Sequence, residues 1–173
     1  MSAIFERRSV RSFLPKSVEP DKIERLLRAG FEAPSAHNRR PWEFVVISAR
    51  KDLDAIAEMS PYAKMCTEAA AAIIPCANLS LSLGGNAAPE DTWWIQDLAA
   101  ATENILLQIV EEGLGGVWLG WYPDKARIDA LSSRFGIPSY IVPFSVIALG
   151  YPAKSAPKAD RFNASRVHYG AWD

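Results

Sequence analysis

An α+β fold is expected from three features of this 173-residue chain. Segments of helical periodicity and short β-branched runs are mixed along it without the strict strand–helix–strand alternation of a parallel-sheet protein. One stretch, Thr92 to Gly120, reads as a long helix, a glycine stop and a short buried strand. That helix is apolar nearly all round, which marks a core element rather than a surface one. Nothing repeats at a fixed period and no linker divides the chain, so residues 1–173 are expected to form a single domain.

Asp91 or Thr92 can cap the long helix, since either side chain accepts a bond from an orphan backbone N–H. Gly113 follows its last periodic residue and can take the left-handed conformation that ends a helix. About 20 residues make a rod of roughly 30 Å, the width of a small domain. Trp94, Ile95, Leu98, Ala101, Ile105, Leu106 and Ile109 form its apolar face; Asp97, Asn104, Gln108 and Glu111 form a narrow polar seam. Asp97, Glu103 and Glu111 argue against a membrane span. A subunit interface would give such a rod extra cover.

From the N-terminus, Phe5 to Phe13 places Arg7, Arg8, Ser9 and Arg11 within five positions. Such a run alone reads most simply as a solvated basic arm. However, Ile4, Phe5, Val10, Phe13 and Leu14 interleave with the arginines, and a floating arm gains nothing from apolar anchors. The alternative is an anion clamp: arginine offers a planar fork matched to phosphate oxygens, and the Ser hydroxyl adds a donor. Ser17 to Ala33 follows as a helix, with Pro20 in its first turn and Ile23, Leu26, Leu27 and Phe31 at helical spacing. Pro34 ends it.

Pro34 to Pro41 is a loop of turn formers in which Ser35, His37 and Asn38 offer hydrogen-bonding groups. A lone loop histidine without a partner reads as solvated. Trp42 to Ile47 is a strand. Lys51 to Met59 is a short helix. Ala70 to Ala77 is a second strand after a short helix, where Pro75 removes a ladder donor and implies an edge or a bulge. Leu79 to Glu90, with Gly84-Gly85, suggests a mobile flap or a partner-covered segment.

Beyond the long helix, Gly113, Gly115 and Gly116 allow a tight turn and close backbone approach. They do not form a dinucleotide-binding fingerprint, which needs a preceding strand. Val117 to Tyr122 is a buried strand. Asp124 to Phe135 is an amphipathic helix capped by Asp124 and stopped by Gly136. Pro143 to Leu149 is a further strand. The tail from Ala153 ends in Tyr169 and Trp172, poor solvent residues, and is expected to dock on its own subunit or a neighbour.

The net charge of −1 creates no global field for nucleic acid or anionic lipid. Cys66 and Cys76 stand in no metal-ligand spacing, and a reducing cytoplasm is the simplest setting for them. The first residues lack the apolar run of a signal peptide. The six Trp, five Tyr and seven Phe suit cores, subunit interfaces and planar-ligand pockets alike.

Five motifs, in order, resemble the nitroreductase family of flavin enzymes. They are R-R-S-x-R at Arg7 to Arg11; A-P-S-x-x-N at Ala33 to Asn38 with Pro41-Trp42; Q-D and A-A-x-x-N-I-L-L within Gln96 to Leu107; G-L-G-x-V-W-L-G at Gly113 to Gly120; and G-Y-P at Gly150 with the later Arg161. The resemblance implies an α+β sandwich with a mainly antiparallel sheet flanked by helices. It implies a homodimer with the long helix at its interface and the tail, about 153–173, wrapped onto the partner. Each interface site would hold FMN. NADH or NADPH would be the electron donor, and hydride would pass through flavin N5 to a nitroaromatic, a quinone or a similar small-molecule acceptor.

Carried onto this sequence, the family roles give Arg7, Ser9 and Arg161 to the FMN phosphate, with Lys158 a weaker candidate. Arg8 would meet the pyrimidine edge or ribityl chain. Arg11 would place positive charge near N1 and O2, where a cation raises the reduction potential. Pro34, Ser35 and Asn38 would come from the other subunit. Trp118, Leu119 and Gly120 would lie against the ring, with a backbone N–H directed at N5. No catalytic side chain and no metal is implied. Arg40 departs from the family, where many relatives carry Gln, and Pro75 departs from the usual strand pattern. Relatives on this fold that remove halogen or reduce an activated double bond would differ in lid residues, within Ser60 to Met65 and Leu79 to Glu90. A flavin-binding protein without turnover would need the same contacts. A nucleic-acid binder using the arginine arm is disfavoured by the charge.

Overall fold

The computed structural model describes residues 2–83, 92–154, 157 and 160–172. The Gly84-Gly85 segment, the Asp91 cap and Lys158 therefore lie outside the described residues. In chain order the elements are α1 (Ala3–Glu6), α2 (Pro20–Phe31), β1 (Trp42–Ile47), α3 (Arg50–Glu58), β2 (Ala71–Asn78), α4 (Trp93–Glu111), β3 (Gly115–Gly120), α5 (Lys125–Phe135), β4 (Ile141–Pro143) and β5 (Ser145–Gly150). The sheet runs β1-β2-β5-β3, with β4 also beside β2, and every strand pair is antiparallel.

Strand residues point alternately to the two faces, and here both faces are covered. Ala72, Ile74 and Cys76 of β2, Val117 and Leu119 of β3, and Val146 and Ala148 of β5 pack with Leu53 and Ile56 of α3 and Leu131 of α5. Their alternate neighbours, Ala71, Ile73, Ile147 and Leu149, pack with Leu26 of α2 and Ile105, Leu106 and Ile109 of α4. The result is three layers, α2 and α4, the sheet, then α3 and α5. Cover on both faces explains why β2 is apolar from Ala71 to Ala77 and buried at all eight positions, Asn78 included.

The helix α4 ends as its sequence dictates. Gly113 takes φ +70°, its N–H reaches Val110 O, and the N–H of Leu114 reaches Ile109 O. These are the paired bonds of a Schellman stop, closed by the buried Leu114. Thr92 stands at the N-cap but its hydroxyl makes no capping bond. The Asp124 side chain does cap α5, accepting the Arg127 N–H.

Pro75 does not lie on an edge. β2 is central, and Pro75 faces Phe44 of β1 on one side. On the other side the register shifts by one between Cys76↔Pro143 and Ile73↔Ile147. Two residues of β2 thus oppose three, Phe144 to Val146, which is a bulge. The Phe144 N–H donates to Pro75 O, so the missing proline N–H falls where the ladder is already broken. The single strand expected over 143–149 is consequently two, and β3 starts on its glycines rather than at Val117. Asp97, placed on the polar seam by sequence, is buried. The tail touches its own chain at the arm, where the Ala153 N–H donates to Ser12 O and Arg8 Nε to Pro157 O, but its aromatic residues are not buried there: Phe162, Tyr169 and Trp172 are 76%, 92% and 87% exposed. No helix among the described residues is long and apolar enough to cross a membrane.

Candidate functional site

The arginine arm is pinned to the sheet at β3. Ser9 forms a parallel bridge with Gly116, and the Val10 N–H donates to Gly116 O at 3.0 Å. Gly115 makes this approach possible: a Cβ there would lie 2.8 Å from three side-chain carbons of Val10. The chain then runs on to Phe13, which bridges Pro152 at the start of the tail. The arm is thus folded onto the protein, and the apolar residues between its arginines anchor it.

Arg7 and Arg8 line a cleft of about 440 Å³ with Ile4, Phe5, Asp160, Arg161 and Phe162. Three arginines from two distant segments therefore line one cleft. Arg7 Nε pairs with Glu103 of α4 at 3.1 Å. Arg8 is occupied differently from the expectation. Its Nε donates to Pro157 O at 3.0 Å and its Nη1 to the carbonyls of Phe5 and Arg7. It ties the tail to the arm, which leaves it fewer donors for a ligand. Arg11 is exposed and makes no ion pair among the described residues.

Beyond Gly116, β3 has no partner strand on its outer side among the described residues. Gly116 turns its carbonyl outward to Val10, so the two-residue period turns the backbone of Trp118 and Gly120 the same way. Arg127 Nη1 meets Gly120 O from that side at 3.5 Å. Two N–H groups therefore line an open edge, and the space beside Gly120 is empty to 4 Å from where a Cβ would stand. The Trp118 ring is half-buried, edge-on to Phe144 at 5.7 Å. The Leu119 side chain is buried on the α3–α5 face, and the same alternation turns its backbone N–H and carbonyl toward β5, so neither faces the open edge.

Pro34 and Ser35 lie elsewhere. With Ala36, His37, Leu83, Trp93, Gln96, Asp97 and Ala100 they line a second cavity of about 750 Å³. It shares no residue with the arginine cleft. His37, Asn38 and Arg40 all have positive φ, +50°, +56° and +50°. Three side-chain-bearing residues in that region cost about 1 kcal/mol or more each. Asp97 Oδ1 holds the loop through the Ala36 N–H at 2.9 Å, and Ser35 Oγ accepts the Arg40 N–H. Asn38 does not line the cavity; its Oδ1 accepts from Arg40 Nε at 2.8 Å. That contact is where the Arg40 departure is absorbed. Glu103 falls on an unspecified position of the helix motif and Asp97 within its Q-D pair, which gave neither a partner; their polar character on an apolar helix was the one local signal.

Burial pushes both Cys66 and Cys76 thiols up to about 12. Neither is a poised nucleophile. Among the described residues no cluster of three or more His, Cys, Asp or Glu could hold a metal.

The family model described as "Nitroreductase family" matches residues 4–67 and 58–151. The chain belongs to the nitroreductase family. Its relatives include a protein of Archaeoglobus fulgidus named "Putative NADH dehydrogenase/NAD(P)H nitroreductase", 43% identical over 99% of this chain and 98% of that one. A solved Bacteroides thetaiotaomicron protein of the same name is 42% identical, with a TM-score of 0.90 over 98% of this chain and 96% of the other. A Desulfovibrio desulfuricans protein solved in complex with FMN is 26% identical, with a TM-score of 0.80 over 99% of this chain and 96% of that one. The antiparallel α+β architecture is the one this nitroreductase family fold shares.

Proposed function

We infer that the protein is an FMN-dependent oxidoreductase that uses NADH or NADPH to reduce a nitroaromatic, a quinone or a similar electron-poor molecule. The observation that supports this most is the union of the cationic cleft with the open edge of β3. The Ser9–Gly116 bridge places the arm beside the start of that edge. From Gly116 to Gly120 is roughly 13 Å of extended strand, a span suited to a phosphate on a five-carbon chain followed by a tricyclic ring.

On this reading Arg7, Ser9 and Arg161 hold the FMN phosphate, a near-dianion that needs several donors. The Glu103 carboxylate keeps the Arg7 guanidinium oriented before the phosphate arrives. Arg11, exposed and with no ion pair among the described residues, supplies positive charge near the ring's pyrimidine end. The outward amides of Trp118 and Gly120 offer donors to the ring edge. Gly120, lacking a side chain, leaves that edge open to a second molecule. Pro34, Ser35 and Asn38, which line or flank a separate cavity, serve the site of a partner subunit in a homodimer. Bound FMN supplies two-electron, hydride-type chemistry; the chain supplies position and field. A reducing cytoplasm suits this activity and the two buried thiols.

The test is a visible spectrum of purified protein, before and after NADH or NADPH. Bleaching of a bound flavin is expected. A colourless protein that takes up no added FMN would overturn the reading. Arg7→Ala should weaken FMN binding by tenfold or more, since one charge-assisted contact is worth about 1.5–3 kcal/mol. Lys51→Ala, exposed on α3, should leave FMN binding unchanged, and equal loss in both variants would sink the phosphate clamp.

A further inference from the structure

One cation stands at the open edge of β3 and has no part in holding FMN as assigned above. Arg127, in the first turn of α5, reaches over to Gly120 O at 3.5 Å. Its Nε pairs with Asp124 at 3.1 Å. Its guanidinium carbon lies 5.7 Å from the ring centroid of Tyr62. Asp124 is itself bound into the α5 cap, and the Arg127 carbonyl accepts the buried Trp121 Nε1–H at 2.8 Å. Backbone and side chain are therefore both held, and the guanidinium is preorganised beside Gly120. Tyr62 is 71% exposed, so most of its ring beside that guanidinium faces outward.

We propose that Arg127 and Tyr62 form the subsite for the diphosphate-bearing arm of the nicotinamide donor. This rests on the functional reading above, which places the reacting ring along the edge that ends at Gly120. A donor that approaches that edge carries a diphosphate and an adenine on the same molecule as its nicotinamide. A guanidinium matches the diphosphate oxygens by charge and by its fork of donors. An exposed phenol ring offers a face on which a planar base stacks. Nitroaromatic and quinone acceptors bring no such charge, so the pair selects for the donor. Most other paired surface arginines are tied down far from this edge: Arg28 to Glu24, Arg134 to Asp52, Arg25 to Glu112.

The subsite is tested on the FMN-loaded protein with two donors: NADH, and 1-benzyl-1,4-dihydronicotinamide, which has the reacting ring and no phosphate. Arg127→Ala should raise KM for NADH about tenfold, as loss of one partly solvated charge-assisted contact does. It should leave kcat, and KM for the neutral donor, within twofold. Arg127→Lys should recover part of the NADH effect, and Lys125→Ala on the same helix should change neither donor. Calorimetric titration with ADP-ribose, which has the diphosphate and no nicotinamide, reads the site without turnover. Binding by the natural chain and at least tenfold weaker binding by Arg127→Ala is the expected result. Equal KM increases for both donors, or ADP-ribose affinity untouched by Arg127→Ala, would overturn the subsite. Failure of the natural protein to accept electrons from either donor would instead overturn the functional reading, and the ADP-ribose titration would still decide the subsite.

Discussion

Single residues in this protein are read best by what surrounds them. Cys66 and Cys76 illustrate the point: both are fully buried, and low-polarity surroundings disfavour the thiolate, with Glu43 adding to the effect at Cys76. Below about pH 9 the thiols are neutral whether the chain is folded or not, so they cost no stability. Between about pH 9 and 12 the unfolded thiols lose protons that the folded ones retain, and stability must fall as pH rises. Denaturant unfolding midpoints should drop across that window, and a Cys66→Ser, Cys76→Ser double variant should flatten the slope. At pH 8, a thiol-specific reagent should label neither cysteine in the native protein and both in denaturant. Fast labelling of the native protein would contradict the burial. Glu112 shows the opposite sign. The Arg25 hydrogen bond holds its carboxyl below the usual range, so its contribution is lost as pH falls.

Elements depend on where they touch. From Arg7 onward the arginine arm is neither helix nor strand; two bridges, Ser9 to Gly116 and Phe13 to Pro152, and the close approach of Val10 to Gly115 hold it in place. A Cβ at Gly115 would meet Val10 at 2.8 Å, and Val10 is branched at that carbon with no long end to swing aside. Gly115→Ala should therefore push the arm off β3 while the sheet stays paired through β5. Far-ultraviolet dichroism should be unchanged and FMN affinity should fall at least tenfold; retained affinity would show that the arm's seat on Gly115 is not needed for the site. The stop of α4 was readable from Gly113 alone, because a left-handed residue after an apolar helix is a local requirement. The Pro75 bulge was half readable. Proline announces a missing donor, but whether the gap sits at an edge or inside the sheet depends on which strand arrives opposite.

Over the whole molecule, several large apolar side chains are left uncovered among the described residues, and three of them gather at one place. Ile4, Phe5 and Phe162 are exposed around the arginine cleft, and Tyr169 and Trp172 are exposed further along the tail. Grouped apolar residues facing water mark an interaction surface. Sedimentation should find a species of twice the 19.1 kDa chain mass. Truncation after Pro152 should lower both dimer content and FMN retention, and a truncated chain that keeps both would refute the tail's role. The α+β class, most of the order of helices and strands, and the arginine, proline-loop and glycine motifs were legible in the residues, because periodicity, capping and turn chemistry act over a few positions; the layering was implied only by the family resemblance. The union of Arg7, Arg8 and Arg161 in one cleft was legible only through family resemblance. The Glu103 partner of Arg7, the Asp97 anchor of the Pro34 loop and the meeting of Tyr62, Gly120 and Arg127 were not legible at all. Those contacts join segments far apart in the chain, and nothing local to either partner specifies them; they exist because packing both faces of one sheet brings the segments to the same edge.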